Sequence, residues 1–139
     1  MTAVTREVGH TKYSPDFAAR LRGSKDAARV ALVEGEPITV DVVALKPDGT
    51  PRPGPATPYT IRAMVGGYEI TKFNPISGVV VDVHHLDMSF GPRPEHWECS
   101  CPSGVYNPAK AARERVAWRG CKHARMVVAV VAGYLGMKL

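Results

Sequence analysis

Little in this chain suits a membrane or an oxidising compartment. Its longest apolar run, Met126 to Tyr134, falls short of the roughly twenty residues a bilayer span needs. The first twenty residues hold no apolar stretch of the kind a secretory signal requires. Cysteine is scarce and odd in number, three in 139 residues, which suits a disulfide framework poorly. One disulfide with a free thiol is the alternative to a shared role for all three. No Gly-rich phosphate loop, nucleophile elbow or paired-carboxylate signature is present, so no enzymatic activity is expected. A soluble, cytoplasmic protein is the expectation. Its length suits one domain with its own core, and 45% hydrophobic with 22% charged residues is ordinary for a globular chain.

What is there centres on the cysteines. Cys99-Ser100-Cys101 is followed, after residues 102–120, by Cys121-Lys122-His123. Three thiolates and one imidazole make the donor set of tetrahedral zinc, held at about 2.0–2.3 Å. Two cysteines one residue apart point the same way on an extended strand, so both sulfurs can reach one ion. Inside a regular helix, two residues turn the side chain by about 200°. Cys121 should therefore precede a helix, with His123 in its first turn. Four protein donors leave no position for a reactive water, which makes such a zinc structural.

Trp97-Glu98-Cys99-Ser100-Cys101-Pro102 and Cys121-Lys122-His123-Ala124, running into an apolar helix, resemble the SWIM zinc finger, whose pattern is Cys-x-Cys, a spacer, then Cys-x-His. The proline after the second cysteine and the lysine inside Cys-x-His accompany that pattern. The resemblance covers roughly residues 59–135, is strong at the four ligands and weak elsewhere, and the spacer is long for the family. It implies a module that binds nucleic acid or another protein.

Charge is unevenly distributed. Residues 1–98 carry eleven Lys or Arg against twelve Asp or Glu, whereas residues 99–139 carry seven against one, Glu114. Three thiolates on a divalent ion would leave that second segment at about +5, which points to an anionic partner. Lys110, Arg113, Arg115, Arg119, Lys122 and Arg125 are the candidate phosphate contacts, unless they form only a solvated charged face. Trp118 stands among them, either covering the metal cradle or stacking on a base. Part of the positive charge would stabilise the thiolates themselves.

In chain order, residues 1–13 read as a flexible tail. Ser14-Pro15-Asp16 reads as a helix start, with Phe17, Ala18 and Leu21 as its stripe. Ser24 caps a second helix closed by Gly35 and Pro37, although Arg29 to Val33 could instead be a strand. From Ile38 the period becomes two: Ile38, Val40 and Val42. Pro47-Asp48-Gly49 is a turn and Pro51 to Pro58 a surface loop. Tyr59, Ile61, Ala63 and Val65 form the next strand, Gly66-Gly67 turns the chain, and Tyr68 to Phe73 returns. Val79 to Leu86 and the strand bearing Trp97, Cys99 and Cys101 follow. His84, His85 and His96 could hold a second metal, or be solvent-facing.

Asn107-Pro108 should open a helix in the spacer, with Lys110 and Glu114 paired across one turn. The last helix, Ala124 to Tyr134, is apolar nearly all round and so must be covered on both sides, by the sheet and by N-terminal helices or a second subunit. The expected fold is α+β: a small antiparallel sheet of four or five strands, N-terminal helices, and a zinc knuckle ending in a C-terminal helix. It forms one domain over 14–139, with the finger at about 97–135. A DNA- or RNA-binding accessory protein, DNA before RNA, is the first functional expectation. The second is an assembly subunit docking through its apolar helix, on a partner or as a homodimer. A hydrolase using the extra histidines is the third.

Overall fold

Period-two alternation governs the middle of the chain, and it builds the sheet that carries everything else. The structure is a computed structural model describing residues 5–9, 15–89, 91, 97–101 and 121–139. Ile38–Ala44, Thr57–Met64, Gly67–Phe73 and Val80–Asp87 are strands, the central four of seven. Two more precede them, β1 (Thr5–Gly9) and β2 (Pro15–Leu21). The four are therefore β3 to β6, and β7 is the two-residue Glu98–Cys99. Sheet order equals chain order, every pair antiparallel.

Register places one apolar row across the sheet. Leu21 faces Val40, Val40 faces Tyr59, Ile38 faces Ile61, Ile61 faces Ile70, and Tyr68 faces Leu86. Phe17, Leu21, Val40, Ile61 and Ile70 are essentially inaccessible to water. The opposite face is mostly polar, with Val81 and Val83 of β6 exposed on it. There Arg62 pairs with Glu69, which also meets His85, and Arg22 makes a two-pronged bond to Asp41 at 2.7 and 2.6 Å.

The N-terminal region departs from expectation. Pro15–Leu21 form a strand and not a helix, and the tail assigned to residues 1–13 contains β1. Phe17, Ala19 and Leu21 fit period two as well as Phe17 and Leu21 fit a helical turn. Pairing with the β-branched residues of β3 decides for the strand, since tertiary contacts outweigh weak local preference. The second expected helix does form, as α1 (Lys25–Val33), with the Ser24 hydroxyl accepting from the Ala27 N–H at 3.1 Å. Ala28 and Leu32 are its buried residues.

The C-terminal helix covers the inner face. It begins as α2 (Lys122–Val127) and continues through Val128–Tyr134 in the wider π winding. Ala124, Met126, Val127, Val130 and Val131 are buried. The helix lies against β1 and β2, and α1 clasps its end: Arg29 Nε donates to the Leu135 carbonyl at 2.9 Å and the Lys25 ammonium sits 4.5 Å from the Tyr134 ring. The chain's own strands and α1 thus account for the all-round apolarity of this helix. Among the described residues, no helix is long and apolar enough to cross a membrane.

At the β4–β5 hairpin the loop is Val65-Gly66, one residue earlier than the pattern suggests, with Met64 opposite Gly67. Gly66 takes a positive φ of 79°, open to glycine at no steric cost. Gly67 is required for another reason: a Cβ there would lie 1.8 Å from the Leu86 carbonyl oxygen. Backbone on both sides leaves nothing flexible to yield. Gly67→Ala is therefore expected to cost about 2–3 kcal/mol and lower Tm by roughly 8 °C, measured by thermal unfolding. An unchanged Tm would show that β5 and β6 can separate there freely.

Candidate metal centre

The Cys-x-Cys segment is held by the end of β6. Leu86 pairs with Cys99 and Asp87 with Glu98. The Ser100 N–H donates to the His85 carbonyl at 3.1 Å, and the Ser100 hydroxyl accepts from the His85 N–H at 3.0 Å. Strand alternation persists past the two paired residues. Trp97, Cys99 and Cys101 are buried while Glu98 and Ser100 are exposed, and the Trp97 indole N–H donates to the Gly91 carbonyl at 3.1 Å.

Cys121 is the N-cap of α2, in extended conformation, and His123 stands in the first turn, as the spacing requires. The donor atoms of Cys99, Cys101, Cys121 and His123 all lie within 4.8 Å of one another. His123 presents Nδ1, at 3.6 Å from Cys99 Sγ and 3.8 Å from Cys121 Sγ. For an ion with bonds of about 2.3 Å to sulfur and about 2.0 Å to nitrogen, a regular tetrahedron needs sulfur–nitrogen separations of about 3.5 Å. The cluster fits one four-coordinate metal ion.

Its electrostatics point the same way. The Cys99 thiol donates to the Cys121 sulfur, and this hydrogen bond pulls Cys121 well below the ordinary thiol range against the opposing effect of burial. The His123 ring and the Ala124 N–H add to the lowering. The same bond, together with burial and the Cys121 charge, pushes Cys99 far up. Lowered at Cys121 and raised at Cys99, the two sulfurs are coupled, and ionising both at this spacing is favoured by a cation beside them.

Other residues singled out in the sequence fall in different places. Arg125 is only 6% exposed, its guanidinium 5.1 Å from the Phe17 ring; its side chain is taken up in the interior and is not a surface phosphate contact. The Lys122 ammonium lies over the rings of Phe17 at 5.3 Å and Tyr59 at 5.7 Å. Lys110, Arg113, Arg115, Trp118 and Arg119, with the helix expected at Asn107, lie outside the described residues, as does His96. Among the described residues the Cys3His set is the only group with metal-holding geometry, so His84 and His85 form no second centre there. His85 is on the outer face with Glu69 at 3.2 Å.

Two neighbours of the centre carry no motif signal. Tyr59 has its ring 6.4 Å from that of His123, and His84 has its ring 4.7 Å away. Burial holds His84 below its ordinary pKa, and the adjacent His123 adds to this. Only strand parity could have placed His84 here, through its position two residues before Leu86. No protein-family model, curated protein or solved structure matches the chain.

The ion is bound by thiolates, so any proton still held by Cys99, Cys101 or Cys121 must leave as it enters. Affinity is therefore expected to rise with pH across about pH 6–8, by roughly tenfold per pH unit for each proton displaced, and to fall on acidification. Competition against a chromophoric chelator at several pH values measures this. A flat profile would contradict ligation by these thiols.

Proposed function

We propose that the chain is a zinc-stabilised module in which one structural zinc ion, held by Cys99, Cys101, Cys121 and His123, fastens the end of the sheet to the start of the C-terminal helix. The convergence of those four donors within 4.8 Å carries this reading. Three sulfurs and one imidazole favour zinc among the common divalent ions, since carboxylates and carbonyls would suit magnesium or calcium. The set is complete without water, as in zinc sites that hold a fold together. On zinc-finger precedent, such binding contributes on the order of 10 kcal/mol to folding. Zinc measured by elemental analysis is expected at one per chain, and Cys101→Ala should lose both the metal and the cooperative unfolding of the C-terminal part. A native, metal-free protein would overturn the reading.

The finer proposal is a SWIM-type module serving as a small nucleic-acid-binding accessory protein. Two observations support it: the Cys-x-Cys and Cys-x-His spacings, and the charge of residues 102–120, four cations against one acid. With Arg125 buried, the candidate contacts reduce to Lys110, Arg113, Arg115, Arg119 and Lys122, with Trp118 available to stack. Docking through the C-terminal helix has less behind it, because that helix spends its apolar residues on the chain's own core. A gel-shift titration on duplex DNA should give a log–log salt slope of about −3.6 for four neutralised phosphates. Arg113→Ala with Arg115→Ala should bring it to about −1.8. Absence of binding at low salt would end the nucleic-acid proposal and leave the zinc module standing.

A further inference from the structure

Inner-facing positions of the central strands are filled by Val40, Tyr59, Ile61, Ile70 and Leu86. His84 is opposite Ile70 and two residues before Leu86, so it occupies this apolar row with an imidazole. The position is only partly buried, and Asp82, next along the same row, is exposed, so a polar ring is tolerated there and its role is set by what it touches.

His84 touches both halves of the metal centre. Its ring packs against His123 at a centroid distance of 4.7 Å and a tilt of 43°, within the usual range for tilted ring pairs. Its Nδ1 lies 3.4 Å from the Ser100 hydroxyl. Ser100 is the residue between Cys99 and Cys101, and its oxygen already accepts from the His85 N–H. That leaves its own O–H to reach His84 Nδ1. The His123 ring, by contrast, sits at the start of a helical turn that has no side-chain cap, and two side-chain torsions must be fixed to aim Nδ1 at the sulfurs. Tyr59, at 6.4 Å and 59°, is a more distant neighbour.

We infer that His84 is a positioning residue for His123: its ring holds the ligand imidazole in the orientation that directs Nδ1 toward Cys99 and Cys121. It also ties that ring to the Cys-x-Cys turn through Ser100. The inference rests on the metal-centre reading. In metal sites, groups that orient a ligand histidine commonly change affinity by 10–100-fold when removed; here the orienting group acts through a ring face, with the Ser100 contact secondary.

The test is metal release from the full-length protein, loaded with zinc or cobalt(II), into excess chelator. His84→Ala, at a half-exposed position, is expected to keep the fold and one metal per chain, to release it about tenfold faster, and to shift the visible cobalt bands. His84→Phe, which restores a ring without donors, should return release to within about twofold of the original. Release and cobalt bands unchanged in His84→Ala would overturn the inference, as would His84→Phe behaving like His84→Ala. Failure of the unmodified protein to bind metal would instead overturn the metal-centre reading, so the two failures are distinct.

Discussion

Three sulfurs and an imidazole nitrogen are packed into the same apolar cluster as Ile61, Met126 and Val127, and the C-terminal third depends on how their charge is met. Uncompensated thiolates in such surroundings are costly. Neutral thiols would avoid that cost, but the sulfur–sulfur hydrogen bond, with the His123 ring and the helix N–H, lowers the pKa of Cys121 against the effect of burial. The elements they join could not stand alone. A two-residue strand has almost no ladder, and an isolated helix the length of Lys122–Tyr134 is marginal in water. A cross-link between these elements supplies what their lengths do not. In the same neighbourhood, Lys122 and Arg125 lie against Phe17 of β2, so positive charge counted from the sequence as surface is partly spent inside.

How much of this was legible follows from particular residues. Ile38, Val40 and Val42 alternate cleanly, and β3 to β6 could be read from them and from Tyr59, Ile61 and Ile70. Cys121 at the helix start and His123 in its first turn followed from helix geometry and the Cys-x-His spacing. Phe17-Ala18-Ala19-Arg20-Leu21 reads as a helix but is a strand, because small alanines satisfy both periods and only the partner strand distinguishes them. Thr5–Gly9 offers no run of alternation and becomes a strand by lying beside β2. Arg125 was misplaced because a cation on a helix reads as exposed. Its shelter against an aromatic ring comes from a strand more than a hundred residues away. His84 was noticed for its type, whereas its relevance lies in strand parity.

The two faces of the sheet divide the chain's labour. The inner face carries the core and the cysteine cluster; the outer face is mostly polar and laced by Arg62–Glu69–His85 and Arg22–Asp41. Such exposed pairs contribute little stability each. Their effect is to keep one face wet, which fixes strand register, since a one-residue slip would turn apolar rows outward. The Cys-x-Cys turn inherits that register from β6 through His85 and Ser100.

Strand order equal to chain order has a consequence for how the molecule assembles. Each hairpin joins sequence neighbours, and contacts of that kind close quickly at small entropic cost. The contact between Arg29 and Leu135 spans 106 residues and becomes possible only after the rest of the chain is in place. During synthesis the sheet could grow strand by strand behind the ribosome, whereas the helix must wait for its own residues to emerge and then swing back to the earliest strands. The cysteine–histidine cluster sits at that return point. It acts as a latch on the meander, and a helix that follows the sheet in the chain closes back over β1 and β2.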